Sequence, residues 1–520
     1  MNKPMVAILA AAAALPLFAE IKMGAPFTDG AVLQRGMKVP VWGKATPSTD
    51  ESPRKVRVEF AGQSKTAKVG KCGAWKVDLD PMEASKESRA MKVSALNPGF
   101  FSDSVVDSVE VKDVLVGEVW FASGQSNMEC PIWGDGTRYR DMKGGLMTTM
   151  TRLPNVRYVK CAKDWSVEPR EISAKWCKYT PEFLQLNFRY ESGLEGKGVQ
   201  LSAVAFYYAR ELYLALDIPI GIVDASWGGT NIDAWTPRSG YEGCDESIKA
   251  VAEYEVKANW DAKTDKKGAI GDRHQQPTVL YNAMVSAFAP MAMRGFIWYQ
   301  GCHNSNEPQL YCAKLHALYN GWSRDFENPG LKLYLVQLAP WTQNWLGICM
   351  AQTKFCAEEK NAALAVTADV GNFDDIHPND KEIVSKRLVA HALKRDYGFP
   401  IPEDDSPVFK SVSFEGGKAK LSFDNVRRWY VYAPDRSHNV PFELAGADGK
   451  WVAAKIENFK VVKSHDGKRD VVTDYLDSTE IVLSAAGVAA PVKVRYMGKP
   501  KTFGTLYHEA SLPLGPFEAK

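Results

Sequence analysis

The chain has nine cysteines in 520 residues and no CxxC pair or zinc-type spacing among them, so neither a metal ribbon nor a dense disulfide framework is encoded. Their odd number leaves at least one thiol unpaired. An excess of charge is also missing: 64 basic against 62 acidic residues gives a formal net charge of +2. That balance supplies no long-range field to gather nucleic acid or an anionic membrane surface. Beyond the first residues there is no hydrophobic run of spanning length, which excludes a transmembrane segment in the mature chain. There is no short-period repeat and no low-complexity tract, so solenoid and collagen-like architectures drop out. The GxSxG elbow of ordinary lipases is absent, and no extended apolar lid accompanies it.

What is present is globular. With 45% hydrophobic and 24% charged residues the chain has enough apolar surface to offset the entropy of ordering it, and its length implies two or three domains. Lys3, an apolar stretch from Met5 to Ala14 and then Leu15-Pro16-Leu17-Phe18-Ala19 have the parts of a signal peptide, with cleavage expected near Ala19 and export to the periplasm or the exterior. Residues 20–112 read as a β module: Val56, Val58 and Phe60 alternate with charged residues, and Trp75, Val77 and Leu79 repeat the period of a half-buried strand. At Asp113 the pattern changes. Val114 to Ala122, Ile218 to Ala225, Gly295 to Tyr299, Leu333 to Leu338 and Ala363 to Thr367 are short runs apolar on both faces, and helical period appears between them, as in Val204 to Leu214. Strands alternating with helices predict a doubly wound parallel α/β domain over 113–398, with its ligands at the carboxyl ends of the strands. After a linker at 399–405, alternation in Ala419, Leu421 and Phe423 and in Val492, Val494 and Tyr496 predicts a second β module over 399–520.

Four segments of the middle domain carry chemistry. Ser123-Gly124-Gln125-Ser126-Asn127-Met128 places a serine on a glycine turn at a strand end. Asp224-Ala225-Ser226-Trp227-Gly228-Gly229-Thr230-Asn231 offers backbone N–H groups with no Cβ in the way, as an oxyanion donor needs, although a plain turn has the same composition and Ser226 is a rival nucleophile. Ile297-Trp298-Tyr299-Gln300-Gly301-Cys302-His303-Asn304 runs an aromatic strand into an amide that can donate to an oxyanion or merely form an Asx turn. Asp374-Asp375-Ile376-His377-Pro378 precedes a helix expected from Lys381 to Leu393, and a carboxylate beside a histidine in a tight turn can hold one ring nitrogen while the other faces a serine.

Together these motifs resemble the SGNH (GDSL-like) hydrolases and, within them, the sialate O-acetylesterase family. The resemblance rests on Gly117-Glu118-Val119-Trp120, Gly124-Gln125-Ser126-Asn127-Met128-Glu129, Ser226-Trp227-Gly228-Gly229-Thr230, Trp298-Tyr299-Gln300-Gly301 and Asp375-Ile376-His377-Pro378. Val32-Leu33-Gln34-Arg35, Val39-Pro40-Val41-Trp42-Gly43 and the segment from Leu506-Tyr507 to Pro516-Phe517 extend it over almost the whole mature chain. It implies an SGNH-type, flavodoxin-like sheet flanked by β-sandwich-like modules at both ends. It also implies Ser126 as nucleophile, His377 as base and Asp374 as its orienter, with Asp375 the alternative. Ser126 N–H, a backbone N–H at Gly229 or Gly228 and the Asn304 amide would form the oxyanion hole. Gln125, Trp227, Gln300 and His303 are candidates for substrate contact, and no metal or cofactor is implied. One departure is visible: relatives commonly read Gly-Glu-Ser-Asn where this chain has Gly301-Cys302-His303-Asn304, so an acidic side chain is lost and an imidazole gained. The implied activity is hydrolysis of O-acetyl esters on a sugar or glycan through an acetyl-enzyme, on sialic acid first, with acetyl xylan or another polysaccharide as the alternative. An inactive glycan-binding protein is the reading from a different class.

Overall fold

The computed structural model describes residues 21–47, 54–132, 153–172, 174–180, 201–242, 248–249, 273–343, 345–432, 440–465 and 470–520. The expected signal peptide at 1–19 lies outside the described residues.

The centre is a parallel sheet. Its strands are β1 (Ser104–Gly124), β2 (Val156–Lys160), β3 (Ile220–Ser226), β4 (Gly295–Tyr299), β5 (Lys332–Val336) and β6 (Ala362–Ala365). They lie in the order β2-β3-β1-β4-β5-β6, every neighbouring pair parallel, with the short strand Cys177–Lys178 antiparallel on the β2 edge. Buried on both faces, β3 and β4 have no exposed residue, which is why their sequences are continuous apolar runs rather than alternations.

The helices that bear on the site are α1 (Ser126–Glu129), α2 (Ala203–Leu216), α3 (Pro308–Asp325), α4 (Leu346–Glu358) and α5 (Lys381–Arg395). Two of them have sequence-readable starts: Ser202 accepts from Ala205 N–H at 3.1 Å to cap α2, and Asp380 accepts from Ile383 N–H at 3.0 Å to cap α5. Trp120 and Phe121 show how the layers stack, because successive strand residues point to opposite faces. The Trp120 ring meets Tyr208 of α2 at 5.2 Å, while Phe121 meets Trp322 of α3 at 5.2 Å. Helices therefore cover both sides of the sheet. Each fully buried aromatic of this kind contributes roughly 1.5–3 kcal/mol of hydrophobic stabilisation. On α5 the expected face of Val384, Leu388 and Ala392 is fully buried.

Two β-rich modules flank the sheet. In the first, Val56, Val58, Phe60, Trp75, Val77 and Leu79 all point inward, as their alternation requires. This module has no free end at residue 112. The half of β1 before Asp113 pairs antiparallel with Ser85–Asn97, and the half after it enters the parallel sheet, so one strand serves both units. Beyond Gly398 the second module is built of three four-stranded sheets around Leu421, Phe423, Trp429, Val494, Tyr496 and Leu506. One expected member is not part of this core: Val492 is 42% exposed because its strand begins only at Lys493. The connecting segment is pinned rather than loose, since buried Asp404 receives Arg395 Nε at 2.7 Å and Lys394 Nζ at 2.9 Å. Among the described residues no helix is long and apolar enough to cross a membrane, and the eight described cysteines form no disulfide.

Glu118, fully buried in β1, joins the amino-terminal segment to the sheet. It accepts from Gln34 Nε2 at 2.9 Å, Arg35 Nε at 2.6 Å and Arg294 Nε at 3.1 Å. Burial alone would raise its pKa, but the hydrogen bonds and charge of Arg294, with the bonds from Arg35 and Gln34, outweigh it and hold the carboxyl below its usual range. Its stabilising contribution is therefore complete above the ordinary carboxylate range and is lost as pH falls through the lowered folded value. Glu118→Gln, which strands two guanidinium groups beside a neutral amide, is expected to cost about 3 kcal/mol in urea unfolding at neutral pH.

Candidate active site

Three of the parallel strands end on turns that converge. β1 ends at Gly124, whose φ is +140° and whose missing Cβ lets it lie against the end of β4, where a Cβ would stand 2.3 Å from the Tyr299 carbonyl oxygen. The next residue, Gln125, is 4% exposed and holds the neighbouring loop: its Oε1 accepts from Gly301 N–H at 3.2 Å and His303 N–H at 3.4 Å. Half-buried Ser126 follows as the first residue of α1. So the Gln125 side chain holds the 301–303 loop in place, although the sequence presents it as a substrate contact.

The turn after β3 sits directly over the serine. A Cβ on Gly228 would lie 3.2 Å from the Cβ of Ser126 and 3.1 Å from Glu129 Oε2, so any larger residue would crowd this approach. Gly228 N–H donates to Glu129 Oε2 at 2.6 Å, which leaves Gly229, at φ +71°, as the member of the pair whose N–H is not spent on Glu129. Ser226, the rival nucleophile, is sealed in the sheet: its Oγ donates to Asp224 at 2.6 Å and accepts from Lys160 Nζ at 2.9 Å, with no exposed surface. Trp227 is half-buried and stacks on His274 with ring centroids 4.9 Å apart and planes 8° from parallel. Lys163 ion-pairs with Glu129 and lies 5.8 Å from the same indole, and Gln275 donates to the Gly229 carbonyl.

After β4, Asn304 is 2% exposed and its amide orientation is set by its neighbours. Oδ1 accepts from Gln300 Nε2 at 2.7 Å and Ile232 N–H at 3.0 Å, and Nδ2 donates to Glu307 Oε1 at 2.6 Å. Two donors on one atom mark it as the oxygen, so the nitrogen keeps a second N–H beyond the one given to Glu307. Glu307 is in turn held by Lys314 Nζ at 2.6 Å, and the same ammonium reaches Asp233 at 2.8 Å. Gln300, a candidate substrate contact in the sequence, is fully buried: it donates to Thr230 O at 3.0 Å and to Asn304 at 2.7 Å, and accepts from Tyr311 OH at 2.7 Å. It directly follows β4, and its bond to Oδ1 helps set the orientation of the Asn304 amide. The His303 ring is exposed, and burial pushes the Cys302 thiol up to about 12, so an uncharged group stands where a carboxylate was expected.

The last segment corrects the sequence reading. His377 Nδ1 lies 2.8 Å from Asp375 Oδ1, whereas Asp374 is exposed and its N–H donates to Asn372 Oδ1 at 3.0 Å. The reason is local. Asp375 also accepts from His377 N–H at 3.0 Å, the bond of an Asx turn two residues long, and that turn brings the same oxygen against the ring. A carboxylate only accepts, so Nδ1 carries the proton and Nε2 presents its lone pair. Asn127 ties this loop to the serine turn: its Nδ2 donates to Ile376 O at 3.2 Å and its Oδ1 accepts from Lys381 Nζ at 2.5 Å. Sequence reasoning quoted Asn127 and Glu129 inside a motif without giving them work, and it had no signal for Lys381, an ammonium 1% exposed at the start of α5.

The turns after β1, β3 and β4 lie at the carboxyl end of the parallel sheet, where sheets of this kind bind their ligands. Residues 116–394 match the family model described as "Carbohydrate esterase, sialic acid-specific acetylesterase", and the chain belongs to that family. It is similar to the sialate O-acetylesterases of Homo sapiens, 25% identical over 514 residues covering 92% of this chain and 88% of that one, and of Rattus norvegicus, 25% identical with 81% of each covered. Among solved structures it resembles a carbohydrate acetylesterase from Xanthomonas citri, with TM-score 0.74 and 28% identity over 96% of this chain and 100% of that chain. The protein is an O-acetyl sugar esterase.

Asn127→Leu keeps the size of the side chain and removes both of its bonds. Because a displacement of about 1 Å in a reacting geometry costs on the order of 100-fold, kcat on an acetyl ester is expected to fall about that much, with a lowered melting temperature by circular dichroism.

Proposed function

We propose that Ser126 is the nucleophile of an SGNH-type triad with His377 as base and Asp375, in place of Asp374, as the acid that orients it. The observation that carries the reading is the Asp375–His377 pair at 2.8 Å on a loop that Asn127 fastens to the serine's own helical turn. Setting aside the β2 edge strand, the sheet order β3-β1-β4-β5-β6 is the flavodoxin-like 2-1-3-4-5, which supports the same assignment. The hydrolase unit is taken as 113–398, between β modules at 20–112 and 399–520, in an exported chain whose first 19 residues are its leader.

In the proposed cycle His377 Nε2 takes the Ser126 proton as Oγ attacks the acetyl carbonyl. Ser126 N–H, Gly229 N–H and the second N–H of Asn304 Nδ2 receive the developing oxyanion. The C–O bond to the sugar then breaks, His377 returning its proton to the sugar oxygen, and an acetyl-enzyme remains. Water, deprotonated by the same ring, releases acetate. Glu129 is a positioning residue here, since its carboxylate holds Gly228 and so aims the following peptide.

The preferred substrate is an O-acetylated sialic acid. Three observations support it: the family's description, the names of the mammalian relatives, and a basic rim of Lys163, 5.8 Å from the Trp227 indole, and Arg273, 5.4 Å over Trp165. An acidic sugar carries a carboxylate for that rim, and neutral xylan has none.

Ser126→Ala is expected to lower kcat on the order of a million-fold. Asp375→Asn should cost about 10⁴-fold with little change in KM, while Asp374→Asn stays close to wild type. The reverse ranking of the two aspartates by acetate-release kinetics would remove Asp375 from the triad. In parallel assays on acetylated sialic acid and acetylated xylan, preferential release from the sialate supports the proposed substrate, and preferential release from xylan overturns it while leaving the triad in place.

A further inference from the structure

Two groups of potential ligand side chains lie outside the active site among the described residues. One of them, His391 with Asp404 and Asp405, is already filled with cations, because Arg395 and Lys394 ion-pair with its carboxylates. The other is different in kind. Cys312 and His316 are four residues apart on α3 and so share one face of the helix, and Glu358 reaches them from the end of α4.

Their atoms converge on a single carboxylate oxygen. His316 Nε2 is 3.0 Å from Glu358 Oε2, and Cys312 Sγ is 3.5 Å from the same atom. The three ligand atoms all lie within 4.8 Å of one another. In a tetrahedral zinc site, bond lengths near 2.0 Å to nitrogen and oxygen and 2.3 Å to sulfur give edges of about 3.3 Å for N···O and about 3.5 Å for S···O. The observed separations already approximate two edges of such a tetrahedron. The neighbouring cation does not block it: Lys354 Nζ lies 3.8 Å from the other oxygen, Oε1, and so engages the far side of the carboxylate. The His316 ring is steadied by an edge contact with Phe355, centroids 4.7 Å apart, which keeps Nε2 aimed at Glu358. Solvent reaches the group through His316 and Glu358, whose side chains are 30% and 44% exposed.

We propose that Cys312, His316 and Glu358 form a zinc-type cation site that clips α3 to α4, with water as the fourth ligand. One thiol, one imidazole and one carboxylate suit a borderline-soft divalent ion rather than magnesium or calcium, which take oxygen ligands. As the metal–sulfur bond forms, Cys312 releases its proton to solvent, and no oxidation is involved. The site is structural: α3 begins four residues after Asn304, and α4 carries Gln352, whose Nε2 donates to Gln300 O at 3.3 Å, so the clip braces the two helices behind the Asn304 loop.

The test uses the whole mature chain, kept reduced and freed of metal, titrated with Co²⁺ as a spectroscopic probe and then with Zn²⁺. One equivalent of Co²⁺ is expected to produce a thiolate-to-cobalt charge-transfer band that Zn²⁺ abolishes, and Zn²⁺ should raise the melting temperature. Cys312→Ser should lose the band. Exposed Glu358→Gln, which leaves the fold undisturbed, should weaken Co²⁺ binding about 100-fold or more, beyond what loss of an outer-shell partner costs. No band in the wild type, or a band retained at equal affinity in Cys312→Ser or Glu358→Gln, overturns the proposal.

Discussion

The meeting of the serine turn with the histidine loop depends on one side-chain amide. Asn127 stands 249 residues before the carbonyl it donates to and 254 before the ammonium it accepts from. The serine follows β1 and the histidine precedes α5, on segments with no local reason to meet. A donor and an acceptor on one short, buried side chain fix both distance and orientation, which a hydrophobic contact, having no direction, cannot do. The acceptor end is also charge-assisted, and such bonds are roughly twice as strong as neutral ones.

Around that bond the structure satisfies its polar groups in layers. Glu129 holds the peptide after β3, Gln125 the peptide after β4, and Gln300 with Glu307 orient the Asn304 amide, itself backed by the Lys314 ammonium and Asp233. Gln125, Gln300, Asn304, Lys314 and Asp233 are buried and would be costly alone, while Glu129 and Glu307 are half-buried. Paired, they fix the peptides and the Asn304 amide in place, the kind of preorganisation on which the proposed oxyanion hole relies.

Most of the framework was legible in the sequence because its signals are periodic. Gly295–Tyr299 was bounded as expected, and Val384, Leu388 and Ala392 faced inward as a 3.6-residue period requires. What the sequence did not disclose depends on geometry finer than period. Asp374 and Asp375 are chemically identical neighbours, and which one meets His377 is decided by a two-residue Asx turn that composition does not encode. Gln300 is buried just past the end of β4, its amide taken up by Thr230, Asn304 and Tyr311, partners that sequence spacing does not reveal. Val492 fits an alternation, but its strand starts one residue later. Lys381 was invisible because a lysine at a helix start ordinarily faces water.

The continuous strand β1 has a mechanical meaning. Its first half is an edge partner within the amino-terminal module and its second half, where Glu118 pairs with Arg35, ends at the Ser126 turn. The backbone runs unbroken from the module to the serine turn, bending at Asp113, whose φ is +55°. An enzyme trimmed to begin at residue 113 would expose an unpaired backbone edge and a buried carboxylate lacking one of its cations. The smallest unit that keeps this strand paired and Glu118 fully partnered is therefore larger than the segment that bears the Ser126 and His377 motifs.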